Sequence, residues 1–236
     1  KCWEYREDVD IYREYLGILE PLLKHTETMC DAVVENGGLR SLIYACRSSD
    51  LPSLRHTAVC LMNLALFGGS GSHSEMMRQH AIEWLFCLAF HQDEVIKYFA
   101  CLTSAVLSTN PELTAAVNAS GTLNLVMPFV RSHSPIEFAR QNLVAAFQSS
   151  NNDGNNNNSN LSSTSEQQTS VCDNQSDTLK LTCENQYKGG SADWLKRLLP
   201  VMFSKQFEPR VLVSFHFAVE ATLKNGYEMQ SGVLRI

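Results

Sequence analysis

Three short blocks recur along this chain, and their spacing limits the folds open to it more than any other feature. NGGLRSL at 36–42, HAIEWL at 80–85 and SGTLNL at 120–125 share one apolar pattern behind a small residue, Gly38, Ala81 or Gly121. The segments that follow repeat as well: TAVCL at 57–61 matches YFACL at 98–102. Met127-Pro128 resembles Leu199-Pro200 across a longer gap, equal to one repeat plus a tract rich in Asn and Ser. The period is roughly 40 residues, and between short Gly, Ser, Asn and Pro breaks the apolar residues recur with helical spacing. A unit of that size cannot bury its apolar face alone, so the units must stack.

Stacked helical units with this period are the armadillo/HEAT signature. The expected fold is therefore all-α, an armadillo/HEAT-type superhelical solenoid with a long Asn/Ser-rich insertion. Residues 1–147 hold about three to four repeats. Residues 148–186, with NNDGNNNNSN at 151–160, form a low-complexity, disordered insertion, because almost nothing there can be buried. Residues 187–236 carry the remaining repeat helices. The groove-lining third helices start near Val9, Ser53, Asp93 and Pro135, with another near Glu208. The small residues at 38, 81 and 121 suit a tight turn opening each core helix, where glycine tolerates unusual backbone angles.

Composition narrows the class of function. With 44% hydrophobic and 19% charged residues the chain can build a real core. A net charge of −6 argues against nucleic acid as a partner, which calls for a basic face. No window approaches the roughly 18 apolar residues of a membrane span. The start, Lys1-Cys2-Trp3-Glu4, resembles neither an initiator segment nor a signal peptide, and the chain reads as a piece of a longer protein. Its eight cysteines lie mostly inside apolar runs without C-x-x-C pairs, as buried thiols do in a reducing compartment such as the cytoplasm. The scattered histidines predict no metal site. No catalytic motif is visible, so the chain is not expected to be an enzyme.

Cations do fall at successive third-helix starts: Arg13 in the first, Arg55 opening the second, His91 just before the third and Arg140 in the fourth. Free N–H groups, a partial positive charge and the planar guanidinium fork suit a phosphate there. Trp3 and Tyr5 could stack on a flat heterocycle, and Lys188-Gly189-Gly190-Ser191 is a short basic loop that lets backbone N–H groups approach an anion. Two occupants of the groove fit this pattern. One is a small anionic ligand; the other is an acidic extended peptide gripped by Arg13, Arg55 and Arg140, the usual use of a solenoid's concave face.

Beyond the repeat, the blocks GILE at 17–20, KHT at 24–26, GGL at 37–39, LRH at 54–56, AIEWLF at 81–86, ACL at 100–102, SGTL at 120–123 and FAR at 138–140 resemble the armadillo-repeat region of the SARM family. These are NAD+ hydrolases with sterile-alpha (SAM) and TIR motifs, of the axon-degeneration and innate-immunity type. The likeness covers residues 13–145 and again 186–224, and the Asn/Ser tract departs from it. It implies an allosteric, autoinhibitory sensor that binds nicotinamide mononucleotide (NMN) to activate, or NAD+ to inhibit, a TIR domain elsewhere in the protein. SAM domains would drive homo-oligomerisation. No catalytic cofactor is implied for this part. By the same resemblance Trp3 stacks on the nicotinamide, Arg55 and His91 hold phosphate, and the loop Lys188, Gly189 and Gly190 closes over the ligand. Lys188 there replaces an arginine and so lacks its bidentate fork. Arg6 and Arg13 are further phosphate or ribose ligands between which the resemblance does not choose.

Overall fold

A computed structural model describes residues 2–144 and 190–230, all of them helical or in the turns between helices. The Asn/Ser-rich insertion lies outside the described residues, as do both of its expected boundaries. After a 3-10 turn at Cys2–Tyr5 come α1 (Val9–Leu22), α2 (Glu27–Glu35), α3 (Gly38–Ala45), α4 (Leu51–Phe67), α5 (Ser70–Arg78), α6 (Ala81–Ala89), α7 (Glu94–Leu107) and α8 (Pro111–Ser120). A 3-10 turn at Thr122–Leu125 leads into α9 (Val126–Ser132). Then α10 (Pro135–Phe138) runs on into a π turn at Ala139–Val144. Beyond the insertion lie α11 (Ala192–Leu198), a 3-10 turn at Leu199–Phe203, and α12 (Phe207–Gln230).

The expected third helices are α1, α4, α7, α10 and α12, each beginning within a residue or two of its predicted start. They form the inner layer: α4 packs between α1 and α7, and α12 packs against α7, α9 and α10. A helix that is apolar all round must be buried all round. In α4 every residue from Thr57 to Phe67 is buried, and α7 is buried on nearly every side from Val95 to Leu107. Each of the first three third helices is capped by an aspartate one repeat from the last: Asp8 accepts from the Ile11 N–H, Asp50 from Ser53 and Asp93 from Val95 and Ile96. A carboxylate there meets free N–H groups and the positive end of the helix dipole.

The turns opening the second helices differ from expectation. The left-handed residue is Gly37, His80 or Gly121, so in the first two repeats it lies one position before the small residue. Gly38 is small for another reason: a Cβ there would lie 2.8 Å from the Val33 carbonyl oxygen and closer still to its side chain. His80 adopts φ 60° without being glycine. Among the described residues no single helix is long and apolar enough to cross a membrane. The bent pair Pro111–Ser120 and Thr122–Ser132 has the length and hydropathy, yet it turns Leu113, Val117, Val126 and Phe129 into the core.

Candidate functional site

Of the flagged cations, Arg13 and Arg55 occupy one register position on successive third helices, and each is met by the aspartate that caps the next; His91 precedes α7 and Arg140 lies in the π turn after α10. Arg13 on α1 grips Asp50 with two donors, Nε to Oδ2 at 3.0 Å and Nη2 to Oδ1 at 2.6 Å, and lies 3.3 Å from Asp10. Burial opposes the Asp50 charge, but hydrogen bonds from Arg13 and Ser53 hold its pKa down to about 2. Arg55 on α4 meets Asp93, where Nε at 3.2 Å and Nη2 at 2.7 Å share Oδ2. The Asp93 N–H in turn donates to His91 Nδ1 at 3.0 Å, which leaves the proton of a neutral His91 ring on Nε2. Arg55, Asp93 and His91 therefore form one cluster at the junction of α4 and α7. On α7 the same register holds Tyr98, which pairs with His216 of α12.

Trp3 and Arg6 form a second group. The Trp3 ring meets Tyr44 edge-on at 5.3 Å, and two guanidiniums lie over it, Arg40 at 4.2 Å and Arg6 at 4.7 Å. Arg6 donates to the Trp3 carbonyl at 3.0 Å and lies 3.3 Å from Glu7. It also lines a cleft of about 400 Å³ with Tyr12, Tyr44, Arg47, Ser48 and Ser53, at the N-terminal end of α4. The Ser53 residue is buried, and its hydroxyl, beside Asp50, makes no well-formed hydrogen bond. Arg55 follows Ser53 by about half a turn of α4, so it points away from this cleft and does not line it. Trp3 itself lines a neighbouring, mostly apolar cavity of about 320 Å³ with Tyr15, Leu19 and Val33.

Gly190 is placed elsewhere. Its N–H donates to the buried Glu220 carboxylate of α12 at 2.8 Å. With Lys24, His25, Asn63, Phe99 and Trp194 it lines a third cavity of about 420 Å³. Lys188 and Gly189 lie outside the described residues. Arg40, Arg47, Ser48 and Asp50 were not singled out in the sequence, and Ser53 and Asp93 were named only as helix starts. Only the Ser48-Ser49-Asp50 run before a capped helix hinted at a polar cleft there. With Glu7 beside Arg6 on one wall and Arg47 on another, the cleft is hydroxyl-rich with a small excess of positive charge, which suits a small, polyhydroxylated anion. Among the described residues no three His, Cys, Asp or Glu side chains gather as metal ligands.

The helices and their order define an armadillo-type solenoid. A designed armadillo repeat protein superimposes with a TM-score of 0.51 over 92% of this chain and 94% of its own, at 13% identity. A second, solved with a (KR)4 peptide, gives the same score over 90% and 94%, also at 13% identity. No protein-family model matches the chain. Curated relatives do, and they place the chain in the SARM family as an armadillo-repeat segment. It is 42% identical over 208 residues to the NAD(+) hydrolase sarm1 of Drosophila melanogaster, covering 88% of this chain. It is 34% identical to the NAD(+) hydrolase SARM1 of Danio rerio over 93% of this chain, and 27% to the NAD(+) hydrolase tir-1 of Caenorhabditis elegans over 91%. The chain spans only 12%, 26% and 18% of the length of those three hydrolases.

Proposed function

We propose that this chain is the ligand-sensing, autoinhibitory region of an NAD+ hydrolase, and that it binds NMN or NAD+ on the inner layer of third helices. The observation that carries the reading is the basic character of the inner layer around α4: Arg6 and Arg47 on the walls of the cleft of about 400 Å³ at its start, and Arg55 beside His91 at its junction with α7. In a chain of net charge −6, guanidiniums gathered at a helix N-terminus call for an anion. Kinship to NAD(+) hydrolases supplies one of the right chemistry. In this reading Arg55 and the His91 Nε2–H take the phosphate, Arg6 and the serines take ribose hydroxyls, and Trp3 stacks on the pyridinium, a contact worth on the order of 0.5–2 kcal/mol. Arg6 lines the cleft and Arg13 does not, which favours Arg6 as the ligand of the two. NMN and NAD+ favour different arrangements of the repeats, and that difference is passed to a TIR domain in a SAM-assembled oligomer.

Calorimetric titration tests this. NMN should bind one-to-one, and Arg55→Ala should weaken it by at least about tenfold with the fold intact. Absence of heat and of thermal shift with both NMN and NAD+ would overturn the reading and bring forward the acidic-peptide scaffold.

A further inference from the structure

The phosphate subsite just described already contains an anion of the chain's own. Asp93 is held from three sides. Its Oδ1 accepts the Val95 and Ile96 N–H groups at 3.1 and 3.0 Å, its backbone N–H donates to His91, and its Oδ2 receives two Arg55 donors. Two of these contacts belong to α7 and its leading turn, so the carboxylate stays aimed at Arg55 whether or not Arg55 is engaged. Arg55 and Asp93 are only 15% and 13% exposed, which weakens solvent screening between them.

We propose that Asp93 is an internal competitor for Arg55, a specificity-determining residue that sets how strongly a phosphate must interact to enter. The inference rests on the nucleotide-sensing reading above. An incoming phosphate either displaces Oδ2 from Arg55 or sits beside a fixed negative charge, and both lower its affinity. A ligand without phosphate meets neither obstacle. The same bond ties α4 to α7 across two repeats, so a ligand that takes Arg55 also removes an inter-repeat tie. Occupancy of the subsite and the set of the array are thereby one event.

Asp93→Asn separates the parts. Asparagine caps a helix about as well as aspartate. With its oxygen on the Val95 and Ile96 N–H groups it turns an amide NH2, a donor, toward Arg55 and no longer accepts from the guanidinium or competes with a phosphate for it. The 236-residue chain should bind NMN about tenfold more tightly as Asp93→Asn, and nicotinamide riboside, which lacks the phosphate, with unchanged affinity. Asp93→Ser, which caps with a shorter hydroxyl, should behave the same way. On the unaltered chain the Arg55 Nε–H resonance should shift when NMN is added and hold still with nicotinamide riboside. NMN binding by the wild type with equal or weaker binding by folded Asp93 variants would overturn the inference alone. So would an Arg55 resonance that ignores bound NMN. A wild-type chain that binds no NMN would overturn the sensing reading and this inference together.

Discussion

Glu20 shows how a single side chain can be worth more for its partners than for its position. It is mostly enclosed near the end of α1, with 13% of its side chain exposed, which opposes its charge, yet His56 at 3.0 Å and Lys24 at 2.8 Å bring its pKa down to about 2 from an ordinary 4.5. A depressed carboxylate stabilises the fold fully above its unfolded pKa and loses that contribution as pH falls through the folded one. Urea melts should therefore show the wild type losing about 2–3 kcal/mol between pH 5 and pH 2 that Glu20→Gln does not lose. Equal losses in the two proteins would rule this out. Sequence reasoning passed over Glu20 because its charge partners, His56 above all, arrive from another helix. It found Arg55 and His91, and Asp93 as the start of a helix, but not the bond from Arg55 to Asp93 that joins them, for the same reason.

Individual helices were easier to read. Aspartate and threonine caps, prolines at first turns and unbroken apolar runs lie next to one another in the chain, so α1, α4 and α7 begin almost where expected. The corner between α2 and α3 was misread by one residue. Both Gly37 and Gly38 are small, but only a three-dimensional corner tells which one bends left-handed and which one yields to a neighbouring backbone. Gly38→Ala should cost about 1–3 kcal/mol in denaturant unfolding, because the Val33 carbonyl oxygen, 2.8 Å from the new methyl, is backbone and cannot step aside. A cost near zero would mean that α3 can slide on α2.

The whole molecule is knitted together across the insertion. Trp194 of α11 donates its indole N–H to Asn63 of α4 at 3.0 Å, with both residues buried. Tyr98 of α7 bonds His216 of α12, whose pKa burial and the Lys224 charge push down to about 3. These contacts seat the chain after the insertion on the third helices before it. Trp194→Phe keeps the packing and strands the Asn63 carbonyl, so the urea midpoint should fall by the equivalent of about 1–3 kcal/mol at unchanged slope. A midpoint that does not move would mean that water replaces the indole.

Much of this protein was settled by order along the chain. Repeat period, helix starts and the choice of an armadillo-type solenoid follow from residues within a few turns of one another, since capping and helical periodicity are local. The likeness to the SARM family is likewise a matter of blocks in sequence. Tertiary structure decided which charges meet. Arg13 finds Asp50, Arg55 finds Asp93 and Gly190 finds Glu220 only when separate helices stack, with spacings that no local rule encodes. It also set the cleft beside α4, whose walls come from the N-terminal turn, α1, α3 and the start of α4. Packing geometry thus turned a row of isolated basic residues into paired charges that tie one repeat to the next.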